Sequence, residues 1–306
     1  WEDRLRSVSR QTFCRVVWSE ADGLPGVVVD LYGRTAVLQI LTAGMDVHRG
    51  LIVDALVKVL PVDSVVERSE SSSRRKEGLA DRTEVLHGTN PGVIECESGG
   101  MVFLIDPLQG QKTGMYLDQI ENYPRVADLA RGRSVLDCFS NQGGFAMACA
   151  RAGASEVIAV ESGEQAVDSM RKNCEKNALS IRIERGDVFA HLNAFTRQGR
   201  QFGLVILDPP SFAHGRSGLR SSLRAYRDLH QRAAAVLEPN AVLATFTCSH
   251  HVTAEPFLDC LREAFQSTRM TFRIMDELRQ PADHPVLLTI PETAYLRGWI
   301  LKAEPR

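Results

Sequence analysis

From about residue 134 onward, short continuous apolar runs alternate with stretches of helical spacing, and this alternation limits the fold more than any other feature. Ser134 to Phe139, Glu156 to Glu161, Ile181 to Glu184, Phe202 to Leu207 and Ala241 to Thr247 read as strands. Phe145 to Ala152, an amphipathic stretch ending near Leu179, Leu223 to Leu237 and Ala254 to Phe265 read as helices. Strands that are apolar on both faces must be covered on both faces, which points to a doubly wound α/β sheet of parallel strands. The last two runs, Thr271 to Met275 and Tyr295 to Leu301, are joined by a Pro-rich loop without helical pattern, so they are expected to pair antiparallel. Ser162-Gly163-Glu164-Gln165 fits a capping box with Ser162 as N-cap.

The front of the chain has a different texture. Cys14 to Val17, Val27 to Leu31 and Thr35 to Leu41 are β-branched runs broken by turns, Leu51 to Leu60 has helical spacing up to Pro61, and Val65 to Arg68 reads as another strand. The polar segment Ser69 to Gly78 reads as a solvated loop. The expected division is a small α+β domain over 1–92 and the larger α/β domain over 93–306. With 36 basic and 38 acidic side chains the net charge is -2, so any nucleic-acid contact must come from a local patch. Seven scattered cysteines suit reduced thiols rather than a disulfide framework. No apolar run reaches the roughly 20 residues of a membrane span. A soluble, cytoplasmic protein is therefore expected.

In such a sheet, ligands sit at the carboxyl ends of the strands beside the point where strand order reverses. The first strand ends in Asp137-Cys138-Phe139, and the following Ser140-Asn141-Gln142-Gly143-Gly144 can bring backbone amides close to a ligand at a helix N-terminus. Glu161 ends the second strand, where a carboxylate can hold ribose hydroxyls. Asp187 and Val188 follow the third, where a carboxylate and an amide can read an adenine edge. There is no G-x-G-x-x-G, and Gly110-Gln111-Lys112-Thr113 lacks the other glycines of a P-loop, which weakens a dinucleotide or phosphate-cradle reading.

The fourth strand runs into Asp208-Pro209-Pro210-Ser211-Phe212, whose prolines fix the turn and aim the carboxylate and carbonyls. The fifth ends in Thr247-Cys248-Ser249, which puts Cys248 at a strand terminus neighbouring Asp208. Cys138, Cys149, Cys174 and Cys260 read instead as small buried apolar residues. No C-x-x-C or H-x-x-x-H spacing suggests a metal. Between the two strand ends, Arg216, Arg220, Arg224 and Arg227 accompany serines and Tyr226, a composition suited to phosphate contacts and base stacking in RNA.

With these residues in view, the chain resembles the large-subunit ribosomal RNA cytosine-C5 methyltransferases of bacteria and archaea. The similarity runs over Trp18 to Asp30, Glu67 to Leu79, Gly110 to Gln119, Asp208 to Phe212, Thr247-Cys248-Ser249 and Asp283-His284-Pro285. It implies a Rossmann-like methyltransferase sheet with S-adenosyl-L-methionine as cofactor. Lys112, Tyr116 and Gln119 would lie at its amino-acid end, Asp137, Ser140, Asn141 and Gly143 near its middle, Glu161 on the ribose and Asp187 with Val188 at the adenine, Asp208 adjoining. It also implies a covalent reaction in which the Cys248 thiolate adds to C6 of cytosine while Asp208 holds the N3/N4 edge. Pro209, Pro210, Phe212, Arg216, Arg220, Tyr226 and His284 would face the RNA, and the base that removes the C5 proton stays open between His284 and water.

Family members usually begin with a small RNA-binding β-barrel, and only about a dozen residues precede the matching segment, so that module is expected to be absent from this chain. Ser211 stands where many RNA cytosine-C5 enzymes carry a second cysteine. The implied partner is large-subunit rRNA, with no membrane; a homodimer is compatible with the sequence. Three other readings stay open: guanine-N methylation on the same scaffold, which needs no thiol; a non-catalytic RNA-binding assembly factor; and, least well supported, a nicotinamide oxidoreductase.

Overall fold

A computed structural model describes residues 12–110, 113–212, 218–249 and 251–306. The chain divides into two compact units, one of residues 1–120 and 281–293, the other of 121–280 and 294–306. The boundary expected at residue 92 therefore falls inside the first unit.

The first unit holds strands β1 (Phe13–Trp18), β2 (Val27–Tyr32) and β3 (Thr35–Ile40), helices α1 (Ala43–Val47) and α2 (Arg49–Val59), β4 (Ser64–Ser69), α3 (Ser72–Lys76), β5 (Arg82–His87) and the hairpin β6 (Ile94–Ser98) and β7 (Met101–Ile105). Strands β1 to β5 form one sheet in sequence order. Only β3 and β4 pair parallel, joined by the crossover through α1 and α2. Val29, Leu38, Ile40, Val65, Leu56 and Leu60 close the core between sheet and helix.

The segment read as a solvated loop is in fact α3, and Arg74 within it is 1% exposed. Its guanidinium donates to the Ala80 carbonyl at 2.6 Å and the Ile40 carbonyl at 2.7 Å, and pairs with Asp46 at 2.8 Å. A buried arginine is tolerable only because those acceptors replace water. They come from β3, α1 and the turn after α3, so local polarity could not foretell the burial.

The second unit contains α4 (Asn122–Ala127), β8 (Ser134–Cys138), α5 (Gly144–Arg151), β9 (Glu156–Glu161), α6 (Glu164–Lys176), β10 (Arg182–Arg185), α7 (Val188–Arg197), β11 (Phe202–Leu207), α8 (Leu219–Ala234), β12 (Leu237–Thr247), α9 (Ala254–Phe265), β13 (Met270–Arg279) and β14 (Arg297–Pro305). Its sheet runs β10-β9-β8-β11-β12-β14-β13. Strands β8 to β12 pair parallel, and β14 is inserted antiparallel between β12 and β13. Strand order reverses at β8, whose neighbours are β9 on one side and β11 on the other.

Helix α8 turns Ser222, Tyr226, Leu229, His230 and Ala233 inward, a helical stripe that buries against the sheet. Leu136, Ile158, Val205, Leu243 and Phe257 fill the same core. The capping box expected at Ser162 does not form. Gly163 is the N-cap of α6, and its amide donates instead to Glu161 Oε1 at 2.8 Å. Among the described residues no helix is long and apolar enough to cross a membrane.

Candidate active site

Sheet register brings the sequence-singled strand ends of the second unit together. Asp137 pairs with Ile206 and Cys138 with Leu207, so Asp208 begins beside the end of β8, its amide 3.5 Å from the Cys138 carbonyl. Leu207 pairs in turn with Thr245, which puts Cys248 just beyond the neighbouring strand end. The Cys248 thiol lies 3.9 Å from the Pro209 carbonyl. None of the seven cysteines is joined in a disulfide, and Cys248 alone is not fully buried. Burial pushes the Cys174 and Cys260 thiols up to about 11, and the Cys138 and Cys149 thiols further still. Those four are packing residues, as their apolar settings implied.

The loop after β8 is built from unusual backbone. Phe139 (φ 62°), Asn141 (φ 48°) and Gly143 (φ 87°) all occupy the left-handed region, which only glycine enters freely. Hydrogen bonds hold it there. Ser140 Oγ donates to the Asp137 carbonyl at 2.6 Å, and the Asn141 amide donates to Glu161 Oε2 at 3.0 Å. Glu161 thus ties the loop to the start of α6 through both carboxylate oxygens. Asp137 is 1% exposed; its Oδ2 accepts the Ala146 amide at the head of α5, and its Oδ1 has no hydrogen-bond partner. Burial, reinforced by the charges of Asp208 and Glu161, drives its carboxyl well above the usual range. Asp187 caps α7, accepting the Ala190 amide at 2.8 Å, while Val188 is buried against the core.

The other expected residues fare unevenly. Pro210 and Arg220 are exposed, Phe212 is half-buried and Pro209 buried. Lys112 and Arg216 lie outside the described residues. Tyr116 and Gln119 belong to the first unit, at the 3-10 turn Leu117–Gln119. Arg224 is exposed, but Arg227 is engaged by Glu263 at 3.2 Å.

Two residues expected to face RNA do not present themselves for it. Tyr226 is fully buried, with Phe212 and Phe257 edge-on at 4.9 and 5.2 Å, so neither face of its ring is open to a base. His284, in the first unit, is 1% exposed. Its Nδ1–H donates to Asp283 at 2.7 Å, and its ring lies 5.5 Å from that of Trp18. Burial, with help from the Arg15 charge, lowers its pKa, so it is neutral at physiological pH.

Sequence reasoning missed a second group. His230 is fully buried on α8, one turn beyond Tyr226. Its Nδ1 lies 2.6 Å from the Tyr226 carbonyl, which can only accept, so the proton sits on Nδ1 and Nε2 accepts the Thr245 hydroxyl at 2.7 Å. The Tyr226 and Thr247 hydroxyls share a hydrogen bond of 3.0 Å. Tyr and His four apart on a helix, opposite Thr and Thr two apart on a strand, is the signal that could have revealed the pairing.

A parallel sheet reversing at β8, an antiparallel final strand slotted in beside β12, and a strained loop between acidic strand ends together define a class I S-adenosylmethionine-dependent methyltransferase. The S-adenosylmethionine-dependent methyltransferase family matches residues 77–293, and the chain belongs to it. Within that family it groups with ribosomal RNA large subunit methyltransferase I. The protein of that name from Aeromonas hydrophila is 38% identical over 310 residues, covering 99% of this chain and 78% of the relative. The one from Salmonella newport is 35% identical over 303 residues, covering 98% and 75%. Among solved structures, SMU.776, described as a methyltransferase complexed with SAH, superimposes with a TM-score of 0.86 at 22% identity, over 98% of this chain and 78% of that one. The M. jannaschii tRNA m1G37 methyltransferase gives 0.63 at 17%, over 91% and 75%. At those identities the likeness concerns the fold.

Proposed function

We propose that this enzyme methylates C5 of a cytidine in large-subunit ribosomal RNA, acting in the cytoplasm, with Cys248 as nucleophile. The observation that carries the proposal is the setting of Cys248: the single cysteine short of full burial stands at a strand end beside the Asp208-Pro209 turn. The names borne by relatives at 35–38% identity support RNA of the large subunit as substrate.

Bound S-adenosylmethionine supplies an electrophilic methyl group. The residues present fit it. A buried carboxyl oxygen without a partner costs about 1–3 kcal/mol, and Asp137 Oδ1 is such an oxygen, suited to a ligand that brings donors and positive charge. Glu161, anchored by two backbone amides, keeps lone pairs free for ribose hydroxyls. Cytosine C5 is a weak nucleophile. Addition of the Cys248 thiolate to C6 makes C5 enamine-like while Asp208 holds the base through its N3/N4 edge; once C5 carries the methyl group, loss of the C5 proton restores the C5–C6 double bond and expels the thiolate. The cytidine has to be unpaired or flipped out to reach these groups. The burial of His284 favours water as acceptor of the C5 proton. Arg220 and Arg224, exposed one turn apart on α8, suit phosphate contacts.

The test is transfer of labelled methyl to protein-free large-subunit RNA, followed by nucleoside digestion and mass spectrometry, for the parent chain and Cys248→Ala. Label in 5-methylcytidine that disappears in Cys248→Ala is expected. Label in a guanosine, or full transfer by the variant, would overturn the covalent mechanism.

A further inference from the structure

We infer that Tyr226 is a positioning residue for the transfer, linking the strand end that carries Cys248 to the turn that carries Asp208. The inference rests on the covalent reading of Cys248 given above. Tyr226 spends its hydroxyl on Thr247, the residue immediately before Cys248, and packs its ring at 4.9 Å against that of Phe212, which closes the Asp208-Pro209-Pro210-Ser211 turn. Thr247 Oγ1 in turn receives the Ser249 amide at 3.4 Å, so the backbone on both sides of Cys248 is referred to one side chain. One turn along α8, His230 repeats the tie two residues back on β12, through Thr245.

All four side chains are fully buried, and Phe257 packs edge-on against both Tyr226 and His230. Water therefore does not compete for these hydroxyls. His230 can serve as acceptor because burial keeps it neutral, with a pKa near 4. The result is a two-rung clasp between α8 and β12 that fixes the thiol relative to the carboxylate on the neighbouring strand end. Such precision matters because a misplacement of about 1 Å at a reacting group costs on the order of 100-fold in rate.

The clasp is tested with Tyr226→Phe, Thr247→Val and Thr247→Ser, beside the parent and Cys248→Ala. Tyr226→Phe keeps the ring contacts, and Thr247→Ser keeps the hydroxyl. Expected for Tyr226→Phe and Thr247→Val is a fall in kcat of about 10- to 100-fold with KM for RNA unchanged, and Thr247→Ser restoring kcat. Iodoacetamide labelling of Cys248 in the protein alone, followed by peptide mass spectrometry, is expected to speed up in the first two variants only. Unchanged kcat in Tyr226→Phe, a loss confined to KM, or a Thr247→Ser variant as poor as Thr247→Val would each overturn the proposal. Full transfer by Cys248→Ala would instead overturn the covalent reading beneath it, so the two failures are distinguishable.

Discussion

Replacing Arg74 by methionine removes a side chain of similar length while deleting its charge and its donors. The substitution leaves the Ala80 and Ile40 carbonyls without their guanidinium donor. It also leaves Asp46 and the fully buried Glu67 to share Arg49, which pairs with Asp46 and stands 3.0 Å from Glu67. Removing one partner from a buried ionic group costs about 3–5 kcal/mol, and an orphaned buried acceptor about 1–3 kcal/mol. These costs overlap, because the methionine stem packs and carbonyls relax, so about 4 kcal/mol is expected for the first unit. With a urea slope of about 2 kcal/mol per molar, the midpoint falls by about 2 M. Urea unfolding followed by hydrogen-exchange protection of β3 and β4 measures it where the loss should appear. Although burial pushes the Asp46 carboxyl upward, Arg74 and Arg49 outweigh it and hold it below its ordinary value. That part of the stability is present above the unfolded carboxylate pKa and lost as pH falls through the lowered one, so Arg74→Met should also flatten the acid limb below about pH 4. A midpoint within experimental scatter of the parent would refute the account and return the segment to an ordinary surface loop.

Two more outcomes follow from the second unit. His230 holds a folded pKa near 4, below the ordinary 6.5, because burial disfavours its charged form; the unfolded chain takes up this proton first, so stability is complete above about pH 6.5 and declines toward pH 4, by about 3 kcal/mol for this group. Thermal unfolding of His230→Leu across that range should lose this component of the slope, and an unchanged slope would contradict the buried neutral imidazole. Changing Arg220 or Arg224 to glutamine should weaken RNA binding evenly across sequences and reduce the salt slope by about one per residue, measured by binding titrations at several salt concentrations; an unchanged slope would remove α8 from the RNA surface.

Much of the second unit was readable because its strands are apolar on both faces and therefore appear as unbroken runs, and α9 falls at the residues its periodicity marks. The antiparallel pairing of β13 with β14 was readable too, since the loop between them lacks a crossover helix. The insertion of β14 beside β12 was not, because nothing local to either strand specifies its second neighbour. Of the proposed site residues, Cys248, Asp208, Asp137 and Glu161 lie at the strand ends where the sequence pattern marked them. Tyr226 failed as a base-stacking candidate for the opposite reason: among arginines it looks solvent-facing, yet the 3.6-residue period of α8 turns it inward while Arg220 and Arg224 face out. Ser162 illustrates competition between neighbours, since Glu161 already satisfies the amide at the head of α6. Arg74 shows that burial of a charge depends on acceptors far away in sequence.

The chain passes between its two units three times, at 120–121, 280–281 and 293–294. The segment 281–293, emerging between β13 and β14, returns to the first unit, where Asp283 accepts the Arg15 amide of β1 at 2.9 Å. During synthesis, then, the earlier of these two units to leave the ribosome is the one that cannot be finished early. Its last piece is translated only after nearly all of the other unit, and β1 waits for that piece throughout. A single proteolytic nick after Ile120 would leave the second unit covalently whole and the first without residues 281–293. Any fragment meant to isolate the first unit has to carry residues 281–293 on a designed linker.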